Sequence, residues 1–157
     1  MHATRVSWHV DAPRAAVYRA LVDAGAIGAW RVPDGMTAQV HAFDAREGGT
    51  FRVSLTYDRA DAGGKSGAHT DTYRGHFARL VPDEQVVEVM EFETADPALS
   101  GAMTLTTTLT DADGGTDVVV VHEGIPDAVP AEANETGTRM ALAKLAALVE
   151  SGERPGS

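Results

Sequence analysis

Between Met36 and His122 the apolar residues of this chain recur at every second position, and on either side of that stretch they recur with a period near 3.6. A period of two belongs to half-buried strands, and a period of 3.6 belongs to amphipathic helices. The switch from one to the other and back constrains the fold more than any single motif. Glu47-Gly48-Gly49 and Ala112-Asp113-Gly114-Gly115 are hairpin signals, and Pro82-Asp83 turns the chain. They divide the stretch into strands at 36–43, 50–57, 69–80, 86–93, 101–110 and 116–122. Strand 69–80 sets Tyr73, Gly75 and Phe77 on one face. Strand 101–110 alternates Met103, Leu105 and Leu109 with Thr104, Thr106, Thr108 and Thr110.

Upstream, residues 3–10 alternate loosely and read as a first strand. Asp11-Ala12-Pro13 follows as a helix start, with Asp11 as the expected cap and Pro13 in the first turn, where its missing N–H would be unpaired anyway. Val17, Ala20 and Leu21 form the apolar face of a short helix ending near Asp23. Gly25 breaks it, a second helical turn covers Ala26 to Trp30, and Pro33-Asp34-Gly35 closes the segment. Downstream, Gly124-Ile125-Pro126 ends the strands. A long helix from about Ala131 carries the stripe Ala141, Leu142, Leu145, Leu148 and Val149. Seven strands joined mostly by tight turns make a curved antiparallel sheet, with two short helices after the first strand. A long C-terminal helix must lie across the concave face of that sheet to bury its stripe. A sheet curled round a helix leaves a cavity between them. The class is α+β, as one domain over residues 1–151. The polar, Gly-rich segment 58–68 is expected to be a mobile loop that could gate the cavity, and 152–157 a disordered tail.

Composition narrows the function. At 157 residues the chain fits one domain and can bury a core without staples. It has no Cys, which removes disulfides and thiolate metal sites. A net charge of −10 disfavours nucleic acid, whose phosphates are met by Lys and Arg, and anionic membrane surfaces. No stretch reaches the roughly 20 apolar residues of a membrane span, and residues 1–10 lack the apolar run of a signal peptide. A cytoplasmic location is the expectation. The six histidines, His2, His9, His41, His69, His76 and His122, have no i, i+3 or i, i+4 partners, so no metal site is expected. Gly64-Lys65-Ser66 ends like a phosphate-binding loop, but Arg59 stands where the first glycine belongs and no helix pattern follows. There is no nucleophile elbow and no cofactor motif.

Several segments together carry a resemblance. Ala12-Pro13-Arg14-Ala15-Ala16-Val17-Tyr18-Arg19-Ala20-Leu21 resembles the opening helix of the SRPBCC or START-like (Bet v 1-like) superfamily. Trp30-Arg31-Val32-Pro33-Asp34-Gly35-Met36 and Arg46-Glu47-Gly48-Gly49-Thr50-Phe51-Arg52 resemble the Trp turn and the hairpin of its bacterial-type Hsp90-ATPase-activator-homologue branch. Tyr73-Arg74-Gly75, Leu80-Val81-Pro82-Asp83-Glu84 and Gly114-Gly115-Thr116 follow in the same order. His122-Glu123-Gly124-Ile125-Pro126 and Gly137 with Leu142, Lys144 and Leu145 complete it. The resemblance covers about residues 5 to 150 and implies a helix-grip fold. Two departures stand out: Arg31 where the branch often has a second Trp, and Thr138 where it often has Trp after the helix glycine. The resemblance implies that both places border the cavity.

For the site, strand alternation puts His122 on the face of Val118 and Val120, where it could exchange a proton near pH 7 or only brace the adjoining turn. Glu91 lies among valines, opposite Met90 and Phe92, and is read either as a buried carboxylate or as an ion pair with Arg74 or Arg52. The cavity candidates are Trp30, Phe51, Tyr73, Phe77, Glu91, Met103, Leu105, Val120, His122 and Leu142. Three roles compete. The first is a module that binds a hydrophobic small molecule. The second is a cyclase, aromatase or hydrolase in which His122 and Glu91 reach one bound molecule. The third is a chaperone partner of the Hsp90 type, which is disfavoured because the chain has no room for the extra N-terminal domain of those activators. A homodimer is left open.

Overall fold

The computed structural model describes residues 1–58 and 70–150. The expected loop beyond Asp58 and the expected tail lie outside the described residues. The elements run β1 (His2–Val10), α1 (Arg14–Leu21), α2 (Ala24–Trp30), β2 (Met36–Phe43), β3 (Thr50–Tyr57), β4 (Thr70–Val81), β5 (Gln85–Phe92), β6 (Met103–Ala112), β7 (Gly115–Ile125) and α3 (Ala131–Glu150). The strands form one antiparallel sheet in the order β1-β7-β6-β5-β4-β3-β2. Consecutive strands pair from β2 to β7, as tight turns require. β1 then closes on β7, with Val10 opposite Thr116.

Local chemistry explains the entry into the helices. Asp23 caps α2, its Oδ1 accepting from the Ala26 N–H at 2.9 Å. Asp11 does not cap α1. Pro13 holds that position, and the Asp11 N–H donates to Glu150 Oε2 at 2.8 Å, which ties the end of β1 to the end of α3. The Trp30 Nε1–H donates to the Ala20 carbonyl at 2.9 Å and joins α2 to α1. The hydroxyl of Thr116, fully buried, donates to the Ala12 carbonyl at 2.7 Å and fixes the corner between β1 and α1.

The sheet bends most closely around Gly75. A Cβ there would stand 2.0 Å from the Val89 carbonyl oxygen and 2.8 Å from the Met90 Cα, so only glycine lets β4 approach β5 this closely. Ladder irregularities between Phe77 and Arg79 and between Val40 and Ala42 add curvature on the same side of the sheet. α3 lies along β1 and against α1 and α2. Its residues Leu142, Leu145 and Ala146 join Val6, Val10, Val17, Leu21, Ile27 and Val118 in one buried core. Burying each such large apolar side chain stabilises the fold by about 1.5–3 kcal/mol. Among the described residues no helix is long and apolar enough to cross a membrane.

Candidate ligand cavity

The sequence of α3 leaves a hollow beneath the helix. Its second half offers Leu142 and Leu145 to the core, whereas the inward positions of its first half are Ala133, Asn134, Gly137 and Thr138. These short side chains leave space beneath the helix, bridged by Asn134 to Thr4 and His122. A Cβ placed on Gly137 would meet nothing within 4 Å. The result is a cavity of about 740 Å³ between the first half of α3 and strands β2 to β7. Trp30 and Arg31 from the end of α2 close one side. Asp71, Tyr73, Val86, Glu88, Met90, Phe92, Leu105, Thr107, Val120 and His122 form the floor. The exposed lining residues Asp34, Glu132 and Thr136 mark the rim.

Six of the ten residues expected from the sequence stand in this wall: Trp30, Tyr73, Leu105, Val120, His122 and Leu142. The other four do not. Phe51, Phe77 and Met103 are inward-facing but lie in the closed part of the core, with 3%, 0% and 2% of their surface exposed. Phe77 packs edge-on against Phe43 and Phe51, at centroid distances of 5.4 and 5.2 Å. These rings pack on one another, and the cavity wall on β2 and β3 is formed instead by Met36, Leu55 and Tyr57. Glu91 faces the other way. It sits on the outer surface beside Gly75, with its Oε1 3.1 Å from Arg74 Nη2. Glu91 and His122 are therefore on opposite faces of the sheet, and no single molecule reaches both.

The carboxylate of the same strand that does enter the cavity is Glu88. It is buried, and its Oε1 accepts from Arg31 Nη1 at 2.7 Å. The Arg31 guanidinium lies 5.5 Å from the centre of the Tyr73 ring, within range of a cation–π contact. Burial works against the charge on Arg31, but the Glu88 carboxylate outweighs it, and the guanidinium is held above its ordinary pKa. Burial, with Glu88 nearby, also pushes the Tyr73 phenol up against the opposing charge of Arg31, so this hydroxyl keeps its proton.

His122 is set by a short relay from β1. The Thr4 hydroxyl donates to Asn134 Oδ1 at 2.6 Å, and Asn134 Nδ2 donates to His122 Nδ1 at 2.9 Å. Nδ1 is thus an acceptor and the ring proton sits on Nε2. Burial above all, then the charge of Arg31, lower the His122 pKa to about 4, against the opposing hydrogen bond from Asn134. The imidazole is neutral at pH 7. His122 Nε2 and the Tyr73 hydroxyl are both buried without a hydrogen-bond partner.

Sequence reading missed Glu88, Asn134 and Asp71. Asn134 had a usable signal, because it stands on the helical stripe of Thr138, Ala141 and Leu145. Arg31 and Thr138, the two departures from the branch pattern, both line the cavity. Among the described residues no group of three or more His, Asp or Glu side chains could hold a metal ion.

Comparison with known proteins agrees with this architecture. Protein CV1439 from Chromobacterium violaceum is 34% identical, with a TM-score of 0.84 over 94% of this chain and 96% of that one. An AHSA1-like protein from Aeromonas hydrophila shares the fold at 16% identity and a TM-score of 0.73, over 99% of this chain and 97% of that one. DynU16, a protein in the dynemicin biosynthetic locus, shares it at 20% identity and a TM-score of 0.68. That match covers 98% of this chain but 49% of DynU16. No curated protein matches the sequence at a significant level. The family model described as "Activator of Hsp90 ATPase homolog 1-like protein" matches residues 11–150, and the chain belongs to that family.

Proposed function

We propose that the protein binds a hydrophobic small molecule, a lipid, sterol or aromatic metabolite, in the cavity between the sheet and the first half of α3, and that it does so in the cytoplasm. The observation that carries this reading is the hollow itself. Ligand sites are typically concavities of about 300–1,000 Å³ with mostly apolar walls and a few placed polar groups. A cavity of about 740 Å³ walled by Trp30, Val86, Met90, Phe92, Leu105, Val120 and Leu142, with Glu88, Arg31, Tyr73 and His122 among them, matches that description. The cyclase, aromatase or hydrolase alternative has lost its acid–base pair, since Glu91 is outside and Glu88 is already bound to Arg31.

The test is a thermal-shift screen of the purified protein against sterols, fatty acids, flavonoids and aromatic polyketides, run beside Gly137→Phe. A ligand at about 100 times its Kd adds roughly 2.7 kcal/mol to stability, which is a clear rise in Tm. The expected result is a rise with at least one class that Gly137→Phe abolishes, because the new ring occupies the hollow. A rise that survives Gly137→Phe unchanged would place the binding elsewhere and end this reading.

A further inference from the structure

The polar groups of the cavity restrict what can occupy it. The acids Asp71 and Glu88 stand inside and Asp34 and Glu132 at the rim, while the one cationic side chain in the described lining, Arg31, is committed to Glu88 at 2.7 Å. At the rim Asp34 likewise holds Lys144 at 3.1 Å, so a carboxylate or phosphate entering here finds no uncommitted cation among the described lining residues, and burying an unpaired charge is strongly unfavourable. Two other groups lack partners. The Tyr73 hydroxyl and His122 Nε2 are closed off from solvent and meet no protein acceptor, although their residues line the cavity. The Thr4–Asn134–His122 relay makes Nε2 the donor atom. A buried donor left unpaired costs about 1–3 kcal/mol, which a ligand acceptor would recover. Tyr73 is on β4 and His122 on β7, three strand spacings apart, or roughly 14 Å across the sheet. The two donors therefore address separate atoms of a ligand.

Resting on the cavity-binding reading, we infer that the preferred occupant is an uncharged, rigid, largely apolar molecule with carbonyl-type acceptor oxygens at two separated points, one hydrogen-bonded by the Tyr73 hydroxyl and the other by His122 Nε2–H. The donor atoms are themselves covered, so the ligand reaches them through small shifts of the surrounding side chains.

Four probes on one skeleton test this: 5α-androstane-3,17-dione, the 3-monoketone, the 17-monoketone and 5α-androstane-17β-carboxylate. Affinities are measured by titration calorimetry at pH 7.5 for the parent protein, Tyr73→Phe, His122→Asn and Gly137→Phe. Tyr73→Phe removes only the partnerless hydroxyl. His122→Asn keeps a polar group at the Nδ1 place for Asn134 and lacks the Nε2 donor. The dione should bind about tenfold tighter than either monoketone, one added buried hydrogen bond being worth roughly that factor. Either single variant should bring the dione down to the monoketone level, and the carboxylate should bind at least tenfold more weakly than the monoketones. Equal affinity for dione and monoketones, or a carboxylate that binds as well as they do, would overturn the inference while leaving the cavity reading in place. Binding of all four unaffected by Gly137→Phe, or no binding of any, would instead remove the cavity reading on which it rests.

Discussion

The two halves of α3 face the same interior and treat it differently. From Leu142 onward the helix buries leucines that share a core with Val6, Val10 and Val17, and Leu145 has no exposed surface. Before Leu142 its cavity-facing residues, Met140 apart, are small or polar, and none is fully buried. One continuous helix therefore anchors the fold with its second half and roofs a hollow with its first. Packing and function are divided along the chain by side-chain volume. An interior packed near crystal density resists removal of atoms, whereas a hollow tolerates it and tolerates addition as well.

The sharpest way to break this contrast is paired truncation. Leu145→Ala should cost about 2–5 kcal/mol by urea unfolding, the range for a buried leucine whose site cannot collapse. Met140→Ala, on the cavity wall, should cost less than about 1 kcal/mol. Equal losses would mean that the roof bears as much packing as the anchor. Next in size is the ion pair. Glu88→Gln should destabilise by about 3 kcal/mol, because it leaves Arg31 in the wall without its counter-charge. The double variant Arg31→Met/Glu88→Leu should recover most of that loss if the pair serves ligand choice rather than stability.

The third test is pH. Unfolded, the His122 imidazole takes up a proton near 6.5, but in the folded protein only near 4. Its contribution is therefore whole above pH 6.5 and is lost as pH falls from there towards 4, by about 3 kcal/mol. Unfolding free energies measured across that window should slope less in His122→Asn than in the parent. The smallest effect is at the roof: Gly137→Ala should stabilise by about 0.5–1 kcal/mol, since it removes a helix glycine and its Cβ enters open space. A loss of stability there would show that the first half of α3 is packed more tightly than its side chains indicate.

The same division explains what could be read from the sequence. Every described strand and helix was legible within about two or three residues, because period and turn chemistry are local properties. The cavity was legible as a consequence of the curved sheet, and His122 through its alternation with Val118 and Val120. The ion pair of Glu91 with Arg74 was legible, but its place as a cavity candidate was wrong for a definite reason. Strand β5 reads Val86-Val87-Glu88-Val89-Met90-Glu91-Phe92, with apolar residues on both faces and acids three positions apart. Alternation puts Glu88 and Glu91 on opposite sides but does not say which side is concave. That is settled by the side on which the helices pack, where Glu88 meets Arg31, 57 residues earlier in the chain. Phe51, Phe77 and Met103 face inward as expected. Whether an inward residue meets a void or a neighbour depends on the volumes brought to it by other elements, here Phe43 and the aromatic cluster. The helix cap failed similarly, since Pro13 takes the N-cap position and the Asp11 carboxylate pairs with His9 Nε2 at 3.0 Å.

The closure of β1 on β7 orders events during synthesis. β3 to β7 can each pair with the strand made just before, but β1 has no sheet partner until residues 115–125 exist. For most of translation this alternating strand, with Val6 and Val10 on its apolar face, is an unsatisfied edge beside a growing sheet, and contacts of such sequence separation form slowly. The docking of α3 along β1 comes later still. The roof of the cavity is therefore laid down after every strand of its floor, and a ligand present before that moment would meet an open bowl rather than a closed chamber.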